Sequence, residues 1–162
     1  MNNKLNEVED LIQDIFSVPD DAVGIAKEWL DLTEIFTTAI ATSDDLLIIQ
    51  AFSNQFEGYQ PYLQICYEDD GAMTIESVSN RFLKPPLSID AQNTMAELGW
   101  ELSDEKGLPN YFKFLHKEDA DAQVVAQLFA KTLRTAYGIA PCEISEIRQG
   151  HGFWPSDNEE AV

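Results

Sequence analysis

Apolar residues first recur regularly in KLNEVEDLIQDIF, residues 4–16, where Leu5, Val8, Leu11, Ile12, Ile15 and Phe16 stand three or four apart and Glu7, Asp10 and Gln13 fall between them. That spacing predicts a short amphipathic helix. SVPD at 17–20 breaks it, and Asp20 or Asp21 can cap a second helix running to about Thr42, with Val23, Ala26, Trp29, Leu30, Phe36 and Ile40 available for burial.

The period then shortens. LLIIQAF at 46–52, YLQICYE at 62–68 and AMTIESV at 72–78 are rich in β-branched and aromatic residues and bounded by turn formers, which predicts three strands of an antiparallel meander. The second connection, Asp69-Asp70-Gly71, has the chemistry of a tight hairpin, and Pro85 and Pro86 stop further pairing. Ser88 can cap a helix from Ile89 to Leu98, and Gly99 can take the left-handed conformation that ends it. Trp100 then begins a strand as a large apolar anchor, Pro109-Asn110 turns the chain, and YFKFLHK follows, with Phe112 and Phe114 on one face. Asp119 or Asp121 opens a last long helix through Val125, Leu128, Phe129, Leu133 and Ala136, which closes on Gly138 and Ile139 as the earlier helix closes on Gly99 and Trp100. Beyond Cys142 the chain turns polar and is expected to fray. The expected organisation is an N-terminal helix at 1–19, one α+β domain at 20–145 and a polar tail at 146–162.

The chain has 162 residues, and 44% of them are hydrophobic. A single domain of that size buries roughly 70% of the surface its unfolded chain exposes. Its 29 acidic residues against 10 basic ones give a net charge of −19, which disfavours contact with phosphate backbones and so argues against nucleic acid as a partner. A solvated, solubilising surface is one meaning of that charge, and a negative face for a basic partner or for mimicry of DNA is the other. The scattering of the acids favours the first. No window reaches the ~20 apolar residues of a membrane helix, and MNNKLNEVED has neither the basic flank nor the apolar run of a signal peptide, so the cytoplasm is the expected compartment. Cys66 and Cys142 lie far apart in apolar stretches and are expected to be free, buried and inert.

Catalytic chemistry is hard to find. His116 and His151 sit in no HExxH or GxSxG motif, the glycines form no P-loop or GxGxxG, and no carboxylate pair stands out. CYEDDGAMTIES imitates a calcium loop with Gly71 in sixth place and Glu68 and Asp70 at ligand places, but Cys66 would be first and Ser77 twelfth, and strands flank it instead of helices. A hairpin turn accounts for the same acids. No cofactor, metal or catalytic residue is expected.

Setting aside the first helix, the order is helix, three strands, helix, two strands, helix. With VSNRFL after the third strand, LSIDAQNTMAELGW for the middle helix and its exit, PNYFKF entering the fifth strand and LRTAYGIAPCEI closing the last helix, the chain resembles the type III secretion chaperone fold. That α+β domain with an antiparallel sheet is shared with YbjN-like proteins and with relatives grouped as the TY-Chap family. The likeness spans roughly residues 20–145, and its most specific part is the Leu-Gly-Trp exit followed by Pro-Asn-aromatic, with Tyr111 as the aromatic. The first helix and the tail bearing Phe153 and Trp154 depart from it. The resemblance implies a non-enzymatic domain that binds an unstructured protein or peptide client without ATP, commonly as a homodimer. Alternation puts Leu63, Ile65 and Tyr67 on one face of the second strand and Tyr62, Gln64 and Cys66 on the other. Tyr62, Tyr111 and Leu115 are the expected peptide-binding residues. The rivals are an acidic, immunity-like protein that neutralises a basic protein partner, and a small-molecule or enzymatic domain with a polar cavity at His116.

Overall fold

The computed structural model describes residues 23–102 and 109–150, with side chains described from residue 27 onward. The expected first helix, His151, and the tail with Phe153 and Trp154 lie outside these residues. In chain order the elements are α1 (Val23–Thr42), β1 (Leu46–Ala51), β2 (Tyr62–Tyr67), β3 (Met73–Ser77), α2 (Ile89–Glu97), β4 (Glu101–Leu102), β5 (Tyr111–Leu115), α3 (Ala122–Thr135) and β6 (Ile144–Gly150). The six strands form one antiparallel sheet in the order β4-β5-β3-β2-β1-β6. This is the α+β arrangement the sequence predicts, with one more strand.

The extra strand corrects an expectation. The sequence predicts a polar tail from 146 on, yet Ile144–Gly150 pairs along the whole of β1, so the boundary at 145 falls inside β6. An edge strand touches the core on one face only, and ISEIRQG supplies just Ile144 and Ile147 for it, too few for a hydropathy signal. Side chains hold the edge in place. Ser145 Oγ donates to the Gln50 carbonyl at 3.1 Å, beside a register shift between Gln50 and Ala51. Gln149 Nε2 donates to Thr42 Oγ1 and to Ser43 Oγ, both at 2.9 Å, tying β6 to the end of α1.

The caps follow the residues chosen for them. Ser88 Oγ accepts from the Ala91 amide at 3.1 Å, and Asp121 Oδ1 accepts from the Val124 amide at 3.0 Å, so each helix has one otherwise orphaned donor satisfied. At the other end of α2, Gly99 lies at φ +90°, and the Trp100 amide reaches back to the Met95 carbonyl at 3.1 Å. Gly138, at φ +67°, does the same for α3, where the Ile139 amide donates to the Leu133 carbonyl. Each bond drives the following apolar residue onto the helix it leaves, and both Trp100 and Ile139 are buried.

α1 and α3 pack together over one face of the sheet. Leu47 and Ile49 of β1, Leu63 and Ile65 of β2 and Ile75 of β3 meet Trp29, Phe36, Ile40, Phe129 and Leu133 in a single core. All the helical packing among the described residues lies on that side, which leaves the opposite face of the sheet to be considered.

Candidate functional site

Strand alternation and register together define the open face. Two rows of side chains cross it. One is Gly150, Leu46, Cys66, Thr74 and Phe114; the next is Arg148, Ile48, Gln64, Glu76, Phe112 and Glu101. Tyr62 stands beside Gln50 at the end of β2. Because successive side chains on a strand point to opposite faces, none of these residues shares a face with the core positions next to it.

Several apolar groups remain accessible there. Phe114 is 48% exposed, with the His116 ring edge-on to it at 5.0 Å, and Phe112, Leu46, Cys66 and Tyr62 are half-buried. A depression of about 540 Å³ runs between β1 and β2, lined by Asp45, Leu46, Tyr62, Gln64, Cys66 and Glu68, with Tyr67 at its margin. Asp45 Oδ2 is buried without a hydrogen-bond partner among the described residues. The surround is well braced. Tyr67 donates its hydroxyl to the Ile40 carbonyl at 2.8 Å, and burial pushes that phenol up to about 12, so it stays a donor at any physiological pH. Burial also raises the Tyr62 phenol, assisted by the nearby Glu76, and the Tyr62 oxygen accepts from Asn110 Nδ2 at 2.9 Å.

The expected site residues divide. Tyr62 lies on the open face. Tyr111 and Leu115 pair with Ser77 and Met73, residues of the helix-covered face, and are 6% and 9% exposed. The expectation that all three share one outward patch is therefore corrected: the fifth-strand residues that accompany Tyr62 are Phe112 and Phe114. Sequence alternation pairs Phe112 with Phe114, but only the register across β2, β3 and β5 decides which strand faces match. Cys142 is also exposed where its apolar stretch predicts burial, because it sits in a single 3₁₀ turn at Pro141–Glu143 ahead of the edge strand.

Burial raises the Cys66 thiol, and the surrounding carboxylates raise it further, so it is protonated and a poor nucleophile. His116 is exposed, and among the described residues no group of His, Cys, Asp and Glu side chains is arranged to hold a metal ion. No helix among them is long and apolar enough to cross a membrane.

Glu76 is the unusual group. Burial raises its carboxyl above the ordinary range, and no hydrogen bond or ion pair reaches it among the described residues. The native state thus holds this proton more tightly than the unfolded chain does. Between the ordinary carboxylate value and the raised one the unfolded state binds fewer protons, so stability falls as pH rises through that window. Glu76→Gln, neutral at every pH, should match the parent in acid and become the more stable protein towards neutrality. Urea melts at a series of pH values check this; a pH-independent difference would count against a desolvated carboxylate.

Two of the sequence stretches singled out above meet at the end of this face. Ser79 Oγ donates to the Pro109 carbonyl at 2.6 Å, Asn110 Oδ1 accepts from the Ser79 amide at 3.3 Å, and Asn80 Oδ1 accepts from the Leu87 amide at 2.9 Å. VSNRFL and PNYFKF therefore brace each other, and through Asn110 they brace Tyr62. The family model of the T3SS (YopN, CesT) and YbjN peptide-binding chaperone 3 family, TY-Chap3, matches residues 22–144. The chain belongs to this family. The matched segment takes in α1 to α3 and every strand up to the start of β6, so the open face is built almost wholly from residues of the TY-Chap3 domain. No curated protein and no solved structure matches the chain.

Proposed function

We propose that the protein is a non-enzymatic, chaperone-like peptide-binding domain of the cytoplasm that holds an extended segment of a client protein on the open face of its sheet without ATP, and that it works as a homodimer. The observation that carries this reading is the set of accessible aromatic and aliphatic side chains, Phe114, Phe112, Tyr62 and Leu46, on the sheet face opposite the helices. Membership in a peptide-binding chaperone family supports it from a separate direction. An extended chain presents side chains every ~7 Å on each face for the apolar groups of the open face, while Gln64, Thr74 and the Tyr62 hydroxyl can pair with its backbone groups.

A matched pair of surface changes tests the location. Phe114→Asp on the open face and Val124→Asp on the outer surface of α3 alter residues of similar exposure, 48% and 58%. Binding of fluorescent apolar peptides, followed by anisotropy, should weaken about tenfold or more in the first variant and stay unchanged in the second, as expected for an aromatic anchor. Both variants should melt within about 0.5 kcal/mol of the parent, because the changes are on the surface. Equal effects of the two changes would remove the open face as the binding surface.

A further inference from the structure

We infer that the open face selects an extended client segment in which a lysine or arginine stands between apolar residues, the cation lying over Phe112 between Glu76 and Glu101. This rests on the peptide-holding reading above and adds the chemistry of the client to it.

The register supplies the geometry. Glu76 is directly opposite Phe112 in the β3–β5 ladder, and Phe112 is directly opposite Glu101 in the β5–β4 ladder, all on the open face. Two carboxylates thus flank one half-buried aromatic ring, at backbone positions about 10 Å apart across two strand spacings. A ring face attracts cations through its quadrupole, and carboxylates on both sides add charge in the same place. Within the protein, Glu76 gains no counter-charge from the described residues, and Arg148, at the far end of the same row, is three strands away. Tyr62 and Cys66 flank Gln64, the residue opposite Glu76 on β2, and neither brings a positive charge to the half-buried carboxylate. A cation from outside would relieve that arrangement. Phe114 in the adjoining row and Tyr62 in the row on the other side suit apolar residues of the same segment.

Charge also chooses between occupants. The N-terminal stretch before the described residues carries Glu7, Glu9, Asp10, Asp14, Asp20 and Asp21 against Lys4, and the stretch after them carries Asp157, Glu159 and Glu160 with no Lys or Arg. Neither complements a row containing two carboxylates that find no counter-charge among the described residues. A second copy brings another net charge of −19. The partner that fits is a basic, apolar segment of a different protein.

The test uses the full chain and three fluorescent peptides that alternate leucine with threonine and differ at one central position, which is lysine, norleucine or glutamate. Norleucine keeps the length and apolar stem of lysine and removes the charge. The lysine peptide should bind about fivefold more tightly than the norleucine one and the glutamate peptide more weakly than either, the scale set by a partly exposed ion pair plus a cation–π contact. Glu76→Gln should bring the lysine and norleucine affinities together, and Glu101→Gln should do the same in part. Equal binding of lysine and norleucine peptides by the parent, a comparison that needs no variant, would overturn the inference and leave peptide holding intact. So would a lysine preference that survives in both variants. If the intact chain bound no peptide at all, or bound only after Trp154→Ala or on dilution, the face would belong to the tail or to a second copy, and both readings would fall.

Discussion

Trp100→Ala is expected to destabilise the domain by about 3–5 kcal/mol, the range for deleting a large aromatic from a core. Only 4% of Trp100 is exposed, and its ring stacks on Phe129 at 6.4 Å with 18° between planes. Its Nε1 donates to Thr132 Oγ1 at 2.9 Å, and Thr132 Oγ1 in turn donates to the Leu128 carbonyl at 2.7 Å, so the indole N–H ends a buried relay anchored in α3. Alanine would empty the space between α2, β4 and α3 and remove the donor to a threonine that is completely buried. Trp100→Phe separates the two contributions. It keeps most of the apolar body and should cost about 1–2 kcal/mol beyond the small volume change, through the lost hydrogen bond. Equilibrium urea unfolding with unchanged m-value measures both. A domain of this kind is stable by only about 5–15 kcal/mol, so the alanine variant loses a large share of its margin. A cost below about 1 kcal/mol would show that Trp100 is not the anchor between the middle helix and the sheet.

The second large effect is expected at Tyr137, where Tyr137→Phe should cost about 1–3 kcal/mol for the removal of one oxygen atom. Tyr137 follows α3 and is 2% exposed. Its hydroxyl donates to the Val78 carbonyl at 2.6 Å and accepts from Ser77 Oγ in a short contact, which fastens the end of α3 to the end of β3. Burial drives this phenol far above its ordinary value, so it remains a neutral donor throughout the accessible pH range. Phenylalanine would fill the same space and leave the Val78 carbonyl without this donor. Ser77 retains only a long alternative to the Tyr62 carbonyl at 3.4 Å. Combining Tyr137→Phe with Ser77→Ala should recover part of the loss, because the serine hydroxyl no longer needs a partner. Strict additivity of the two changes would argue that the contact carries little energy.

These two residues differ in how plainly the chain announces them. Gly99-Trp100 and Gly138-Ile139 are legible as helix endings because a glycine C-cap is a local device: the positive φ and the bond back to the last turn are set within a few residues. Ser88 and Asp121 are legible as caps for the same reason. Tyr137, in contrast, carries no signal of its own. A tyrosine just past a helix looks like many others, and its importance depends on Ser77 and Val78, some sixty residues earlier.

The functional face divides along the same line. Alternation alone pairs Phe112 with Phe114 and separates Leu63 and Ile65 from Tyr62 and Cys66. It does not say which pair lies outward, and choosing Tyr111 and Leu115 as companions of Tyr62 amounts to matching the wrong faces of two strands. A strand of period two has two equivalent readings, and a slip of one residue in register exchanges them. β6 is hidden for a related reason, since a strand with one buried face at the sheet edge needs few apolar residues.

Local chemistry in the sequence thus determined the three described helices, the hairpin, both glycine endings, the α+β order and the resemblance to TY-Chap proteins. The tertiary structure alone decided the sixth strand, the outward face, and the meeting of Glu76, Phe112 and Glu101, because contacts between strands distant in the chain are fixed by hydrogen-bond register and by which face the helices cover. That information belongs to the pairing of segments and to no segment by itself.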